Sequence, residues 1–318
     1  MKIGPEKHLL LILSQDFAVY QHLIEEAHLP GLTIRATSDA DHAHSIAGDC
    51  DLLFGEPARV SQVVNYMPKL SWVQTTWAGV EPLLAPSISR NYLLTNARNV
   101  YGAMMSEFVF GYLLLIERHI LPRWQAQQVG KWDCTTPGTL RGKLLGLFGV
   151  GTIGSHLAST AEHFNMQVYG YTRQSETCTA VDRYFHAPDW ATFAADLDYL
   201  VCTLPRTEQT NHVLNADYLS MLPNKTWLVN VGRGSTVDEA ALVKALHNGS
   251  LGGAVLDVFE EEPLPVGHPL WSTPNTFITS HTAARNYLPD IAALFIENYH
   301  RLIHGKPLLY LVDFDQGY

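Results

Sequence analysis

One segment constrains the fold more than any other. Gly149-Val150-Gly151-Thr152-Ile153-Gly154 follows an apolar run, Leu144–Phe148, and leads into a stretch of helical character, Ser155–Phe164. A strand that turns through spaced glycines into a helix opens a dinucleotide-binding βαβ unit. The glycines permit the tight turn and the close approach of a pyrophosphate, while the helix N-terminus offers N–H groups and a partial positive charge. Further apolar runs of strand length follow at Met166–Tyr171, Tyr199–Leu204, Thr226–Val231, Ala254–Phe259 and Thr276–Thr279. Stretches of helical period separate several of them, which predicts βαβ units and a parallel sheet. One intervening helix is well signalled. Thr236-Val237-Asp238-Glu239 matches a capping box, Ala240, Leu242, Val243 and Leu246 follow, and Gly249 stands where the helix should stop.

The first hundred residues carry a weaker pattern of the same kind. Leu9–Leu13, Leu32–Ala36, Leu52–Phe54 and Trp72–Thr75 are candidate strands, and Val60–Met67 a candidate helix. Asn99–His119 is almost apolar all round between Ala103 and Ile116, as a helix buried on most faces between two domains would be. Near the end, Ile291, Leu294, Phe295, Tyr299, Leu302 and Ile303 form a stripe, with Pro289 in its first turn and Gly305-Lys306-Pro307 at its stop. A chain of 318 residues has the length of two domains. The expected fold is α/β, two Rossmann-like domains with parallel sheets and the active site in the interdomain cleft.

Hydrophobic residues make up 47% and charged residues 16%, the opposite of a disordered composition. The 21 Lys and Arg against 31 Asp and Glu give a formal charge of −10, a surface that repels phosphate backbones and argues against nucleic-acid binding. An anionic ligand then requires a locally positive pocket, so individual arginines carry weight. Cys50, Cys134, Cys178 and Cys202 form no C-x-x-C pair and no zinc-like spacing, so reduced thiols and no metal are expected. The start, Met1 to His8, shows no export pattern, and the longest apolar stretch, Phe108–Ile116, is half a membrane span. These features predict a cytoplasmic protein with no membrane partner.

The second strand of the nucleotide unit ends Tyr171-Thr172-Arg173-Gln174-Ser175. A dinucleotide fold usually places Asp or Glu here, on the ribose 2′-hydroxyl. Thr172 occupies that place and Arg173 follows; a carboxylate would repel a 2′-phosphate, whereas a guanidinium attracts one. NADP(H) is therefore expected over NAD(H), with NAD(H) use still possible. Three later segments put polar residues just past strand ends, at the edge where open α/β sheets bind ligands. They are Asn230–Gly234, Leu256–Leu264 and Ser280–Ala283. Hydride transfer at an alcohol carbon needs a proton mover, for which His281 is suited, and a cation for a carboxylate and carbonyl, for which Arg233 is suited. A carboxylate beside the histidine would help keep it protonated in the reductive direction.

Together, Gly142-Lys143 through Gly154, Asn230–Gly234, Gly253–Pro263 and Pro274-Asn275 through His281 resemble the D-isomer-specific 2-hydroxyacid dehydrogenase family. Trp77-Ala78-Gly79-Val80 and Leu94-Thr95-Asn96 resemble it more loosely, so the likeness spans nearly the whole chain. The resemblance implies Arg233 as the substrate-binding arginine, Glu262 as the acid paired with the catalytic histidine, and His281 as the general acid/base. It implies Asp257 near the nicotinamide amide, and Ala78 and Gly79 amides around the substrate carboxylate. It also places Gly149, Gly151, Thr152, Ile153, Gly154, Leu204, Pro205 and Val231 along the cofactor, beside Thr172 and Arg173. It implies a discontinuous substrate domain, residues 1–98 plus 287–318, around a dinucleotide-binding domain, 99–286, in a homodimer. Gly232 replaces the family's common Ala, and Arg206 stands where an apolar residue is usual. The Thr172-Arg173 pair is similar to the NADP-using glyoxylate/hydroxypyruvate reductase branch.

Other polar residues have plainer explanations. Asp39, Asp41, His42 and His44 lack a recognised ligand spacing and are expected to form a solvated face. Trp77 and Trp132 are candidates to line the substrate pocket, but a Trp is more often a core residue, and core is the expectation for both. Two functions follow from these readings: reduction of a small 2-keto acid to the D-2-hydroxy acid, or dinucleotide sensing by a corepressor-like interaction protein, which would keep the same residues. The short chain and acidic surface weigh against sensing.

Overall fold

The apolar runs of the first hundred residues form parallel strands in the computed structural model, which describes residues 7–317. The chain start, on which the export expectation partly rests, lies outside the described residues up to residue 6. The described residues up to Val100, with those from Asn286 onward, form one unit, and Tyr101–Arg285 form another.

The first unit opens with β1 (His8–Leu13), α1 (Phe17–Glu26), β2 (Leu32–Thr37), α2 (Ala40–Ala47), β3 (Leu52–Gly55), α3 (Pro57–Val63), β4 (Trp72–Thr75) and β5 (Leu93–Thr95). The strands pair in parallel in the order β2-β1-β3-β4-β5. Leu11, Leu13, Leu53, Val73 and Leu94 are buried in one core. Helix α3 starts earlier than its periodicity suggests, because Pro57 takes its first turn, where a missing N–H costs nothing. Asp39, Asp41, His42 and His44 are all exposed, as expected of a solvated face, and Asp39 caps α2 by accepting a 2.7 Å bond from the His42 N–H.

The second unit comprises α4 (Gly102–Glu117), α5 (Ile120–Gln128), β6 (Leu144–Phe148), α6 (Thr152–His163), β7 (Gln167–Tyr171), β8 (Arg183–Phe185), α7 (Trp190–Ala194), β9 (Tyr199–Cys202), α8 (Ala216–Ser220), β10 (Trp227–Asn230), α9 (Glu239–His247), β11 (Gly253–Leu256) and β12 (Thr276–Ile278). Its parallel sheet runs β12-β11-β10-β9-β6-β7-β8. The chain winds outward from β6 to β8, returns to β9 beside β6, and winds the other way to β12. That reversal makes the gap beyond the carboxyl ends of β6 and β9 the switch point where such sheets bind ligands. Apolar cores cover both faces; one holds Phe148, Phe193, Leu200 and Leu228, the other Leu113, Leu147, Val201 and Val229. On α4, Val109, Phe110 and Leu113 are buried, with Phe110 stacked on Phe164 at 5.2 Å, while Phe108, Tyr112 and Leu114 are only half-buried. Helix α9 begins two residues later than the capping-box motif proposes. Asp238 is its cap, accepting a 2.9 Å bond from the Ala241 N–H, and Thr236 is drawn off by a 2.6 Å bond to the Arg233 carbonyl.

The opposite edge of this sheet is fastened by Asp198, immediately before β9. Its carboxylate accepts from the Leu144 N–H at 2.9 Å and Lys225 Nζ at 2.8 Å, with Lys143 Nζ at 3.5 Å. Burial pushes this carboxyl up, but those bonds and the two lysine charges prevail and hold it below the usual range. The chain returns to the first unit in α10 (Leu288–Ile303), which buries Ile291, Leu294, Phe295 and Tyr299. Phe295 lies flat on Trp72, 5.0 Å between rings.

Candidate active site

Because every strand of the second sheet is parallel, the loops after β6, β7, β9, β10, β11 and β12 all leave its carboxyl edge. The glycine loop follows β6. Gly149 has φ +102°, a conformation that side chains other than glycine rarely adopt, and its carbonyl accepts a 3.0 Å bond from the Thr203 hydroxyl after β9. A Cβ on Gly154 would run into that same carbonyl, so α6 can approach the strand only with glycine there. Gly151, in contrast, faces open space. It is the N-cap of α6 and brings no side-chain cap, so the first-turn N–H groups, those of Thr152 and Ile153 among them, have no capping side chain at Gly151. An open, uncapped helix N-terminus beside a glycine turn fits a pyrophosphate.

After β7, the Thr172 hydroxyl donates to the Ser175 carbonyl at 2.9 Å, and Arg173 is exposed. Leu204 and Pro205 follow β9, and the Thr210 hydroxyl donates to the Pro205 carbonyl at 2.7 Å. Gly232 lies against them: a Cβ there would sit 2.7 Å from the Leu204 carbonyl oxygen. The glycine therefore draws the loops after β9 and β10 together. Val231 is buried beside it.

The loop after β10 is shaped by Asn230, whose role the sequence did not signal. Its side chain donates to the Arg233 carbonyl at 3.0 Å and accepts from the Gly232 N–H at 3.1 Å. Arg233 itself is half-buried, and its guanidinium donates to the Gly232 carbonyl at 2.8 Å. Glu262, after β11, faces His281, after β12: Oε2 lies 2.8 Å from Nδ1, while Oε1 accepts from the Phe259 N–H at 2.9 Å. A carboxylate on Nδ1 fixes the tautomer and leaves Nε2 for a ligand. His281 has φ +55°, in the left-handed region where a residue with a Cβ is strained, a feature found at functional sites.

Asp257 explains how that strain is held. It is 2% exposed, and Oδ1 accepts from the Thr279 hydroxyl at 2.6 Å and the Thr282 N–H at 2.8 Å, while Oδ2 accepts from the Ala283 N–H at 3.0 Å. Its own carbonyl accepts from the His281 N–H at 2.8 Å. Asp257 thus clasps the residues on both sides of the histidine. Thr279, unremarked in the sequence, is its partner.

Ala78 and Gly79 lie on the first unit, in the loop after β4, where Asn96 donates to the Ala78 carbonyl at 2.7 Å. Trp77 and Trp132, expected in the core, are 51% and 90% exposed. Both sit on loops, and a loop offers no sheet face or helix stripe to bury an indole against. Among the described residues, no group of three or more His, Cys, Asp or Glu side chains is placed to hold a metal ion.

Residues 110–283 match the family model of the NAD binding domain of D-isomer specific 2-hydroxyacid dehydrogenase. The chain is 31% identical to glyoxylate/hydroxypyruvate reductase B of Citrobacter koseri over 309 residues, covering 94% of this chain and 92% of that one. A D-isomer specific 2-hydroxyacid dehydrogenase family protein from Aeromonas salmonicida has a similar structure, with TM-score 0.91, 40% identity, and 98% and 100% of the two chains covered. A second, the D-isomer specific 2-hydroxyacid dehydrogenase of Xanthobacter autotrophicus in complex with NADPH and MES, gives TM-score 0.87 at 30% identity, with 98% and 100% covered.

Proposed function

Because the chain belongs to the D-isomer specific 2-hydroxyacid dehydrogenase family, we propose that it reduces a small 2-keto acid to the D-2-hydroxy acid, preferring NADPH, in the manner of a glyoxylate/hydroxypyruvate reductase. The observation that carries this reading is the His281–Glu262 pair, 2.8 Å apart, at the same sheet edge as the glycine loop. The N-terminal turn of α6 would hold the pyrophosphate, and Thr172 and Arg173 the adenosine side, with Leu204, Pro205 and Val231 lining the remainder. Bound there, the reduced nicotinamide supplies the hydride.

The chain's own residues do the rest. Arg233 holds the substrate carboxylate and polarises the ketone, with Ala78 and Gly79 assigned to the same carboxylate on the residue pattern. His281 gives its Nε2 proton to the oxygen as negative charge develops there. Glu262, on Nδ1, stabilises the imidazolium before transfer and keeps the ring aimed. Asp257 acts by holding the loop of His281.

The NADPH complex of the Xanthobacter protein supports the cofactor preference, as does the absence of a carboxylate at Thr172. The four cysteines are unpaired, which suits a reducing, cytoplasmic setting. Among the described residues no helix is long and apolar enough to cross a membrane. Helix α5 buries none of its residues, and Ile120, Trp124, Val129 and Trp132 are exposed around it. These exposed apolar side chains support a homodimer.

The test is the loss of reduced-nicotinamide absorbance with glyoxylate, hydroxypyruvate, pyruvate and phenylpyruvate, each with NADPH and with NADH. Faster oxidation of NADPH with at least one of them is expected. A preference for NADH would remove the Arg173 argument, and silence across the panel with cofactor bound would overturn the substrate class.

A further inference from the structure

The loop after β7 contains a carboxylate that the NADP reading leaves unexplained. Glu176 stands three residues beyond Arg173, in the segment assigned to the adenosine 2′-phosphate. A carboxylate in this region favours the 2′-hydroxyl of NAD and repels a 2′-phosphate. Glu176 Oε1 lies 2.7 Å from His186 Nε2, and His186 Nδ1 lies 2.9 Å from the Thr172 carbonyl oxygen. The carbonyl can only accept, so Nδ1 carries a proton. The 2.7 Å contact on the other side then requires a second proton, shared between Nε2 and the carboxylate. The pair is therefore neutral while it holds that proton and carries one negative charge once it is lost.

Resting on the NADP reading above, we propose that His186 is a specificity-determining residue of the cofactor site. It ties the Glu176 carboxylate into a proton-sharing pair and keeps its charge from opposing the 2′-phosphate at Thr172 and Arg173. The same histidine positions the segment, since its Nδ1 bond fixes Thr172, whose hydroxyl holds Ser175. The charges acting on His186 come from two elements: Glu176 on the loop after β7, and Asp189 at the N-terminus of α7. Its bonds to Glu176 and to the Thr172 carbonyl, in that order, raise its titration above the usual histidine value, with these charges adding to them. The pair accordingly loses its proton at a higher pH than an ordinary histidine and turns negative as the pH rises.

Direct titration of NADPH and NADH binding by nicotinamide fluorescence, from about pH 6 to about pH 9, spans the range over which a raised histidine loses its proton. Wild-type preference for NADPH should decline across this range as the pair becomes negative. His186→Asn leaves Glu176 uncapped, and should weaken NADPH about two- to fivefold relative to NADH, with no further decline at high pH. Adding Glu176→Gln to that variant should restore the preference, which a purely structural role for His186 would not allow. Glu176→Gln alone, which leaves the histidine in place, should keep the preference at high pH. The 2′-phosphate has its own ionisation near pH 6, but it is common to every variant and cancels in the comparison. Equal NADPH preference in wild type and His186→Asn at every pH, or no rescue by Glu176→Gln, would overturn the proposal. Arg173→Ala separates the two levels. If it abolishes the preference while His186→Asn does not, only the His186 inference fails; if it too leaves the preference intact, the assignment of the 2′-phosphate to Arg173 fails with it, whereas a wild type that prefers NADH overturns the NADP reading itself.

Discussion

His281 combines a left-handed backbone with a carboxylate on Nδ1, and it stands just past the carboxyl end of β12. Replacing it by Ala should lower kcat by about 10²- to 10⁴-fold, the range for a lost general acid, while the dissociation constant for NADPH stays near wild type. Turnover close to wild type would remove the role. Asp257 makes a different prediction, because it acts through the loop rather than on the substrate. Asp257→Asn turns an amide N–H₂ toward groups that are themselves donors, Thr279, Thr282 or Ala283. The resulting misplacement of His281 should cost at least about tenfold in kcat, with a smaller effect from Thr279→Val. Equal kcat in wild type and both variants, measured at saturating keto acid, would show that the loop holds its shape without this clasp.

At the scale of elements, the most informative contact lies at the amino edge of the second sheet. Asp198 joins β6, β9 and the approach to β10, and its depressed pKa fixes the direction of the pH effect. A carboxylate lowered in the folded state stabilises above its unfolded value, near 3.9, and loses that contribution as pH falls through the folded value. Urea melts should therefore show Asp198→Asn about 1–3 kcal/mol less stable than wild type at neutral pH, with the gap closing below about pH 4. A constant gap would mean the bond to Leu144 matters more than the charge. The strands legible in the sequence were those with continuous apolar runs: Leu144–Phe148 is a strand from end to end. β8, Arg183–Phe185, and β5, Leu93–Thr95, left no such trace: three residues carry little alternation, although the equally short edge strand β12 is legible in its run Thr276–Thr279. The site was legible wherever a residue type is tied to one chemistry, as with His281 and Arg233. The bonding roles of Asn230, Thr279 and His186 were not legible, because their work is hydrogen bonding to backbone or to a side chain distant in sequence, and no spacing rule reports it.

For the whole molecule, α5 and the segment after it present Trp124, Val129 and Trp132 to solvent, an apolar surface that a second copy would cover. Sedimentation velocity should give twice the mass of one chain, and the Trp124→Glu, Val129→Glu double variant should weaken association by at least about tenfold. A wild-type monomer at micromolar concentration would remove the proposal. The residues assigned to proton transfer and to the cofactor, from Gly149 to His281, all lie within Tyr101–Arg285, which interrupts the sequence of the first unit as one uncut segment. Inheritance can therefore treat the two parts separately. A graft spliced at only two junctions, near Val100 and near Asn286, would carry the whole reductive apparatus into another host, and drift in the flanking segments could retune which acid is accepted without disturbing a single catalytic codon.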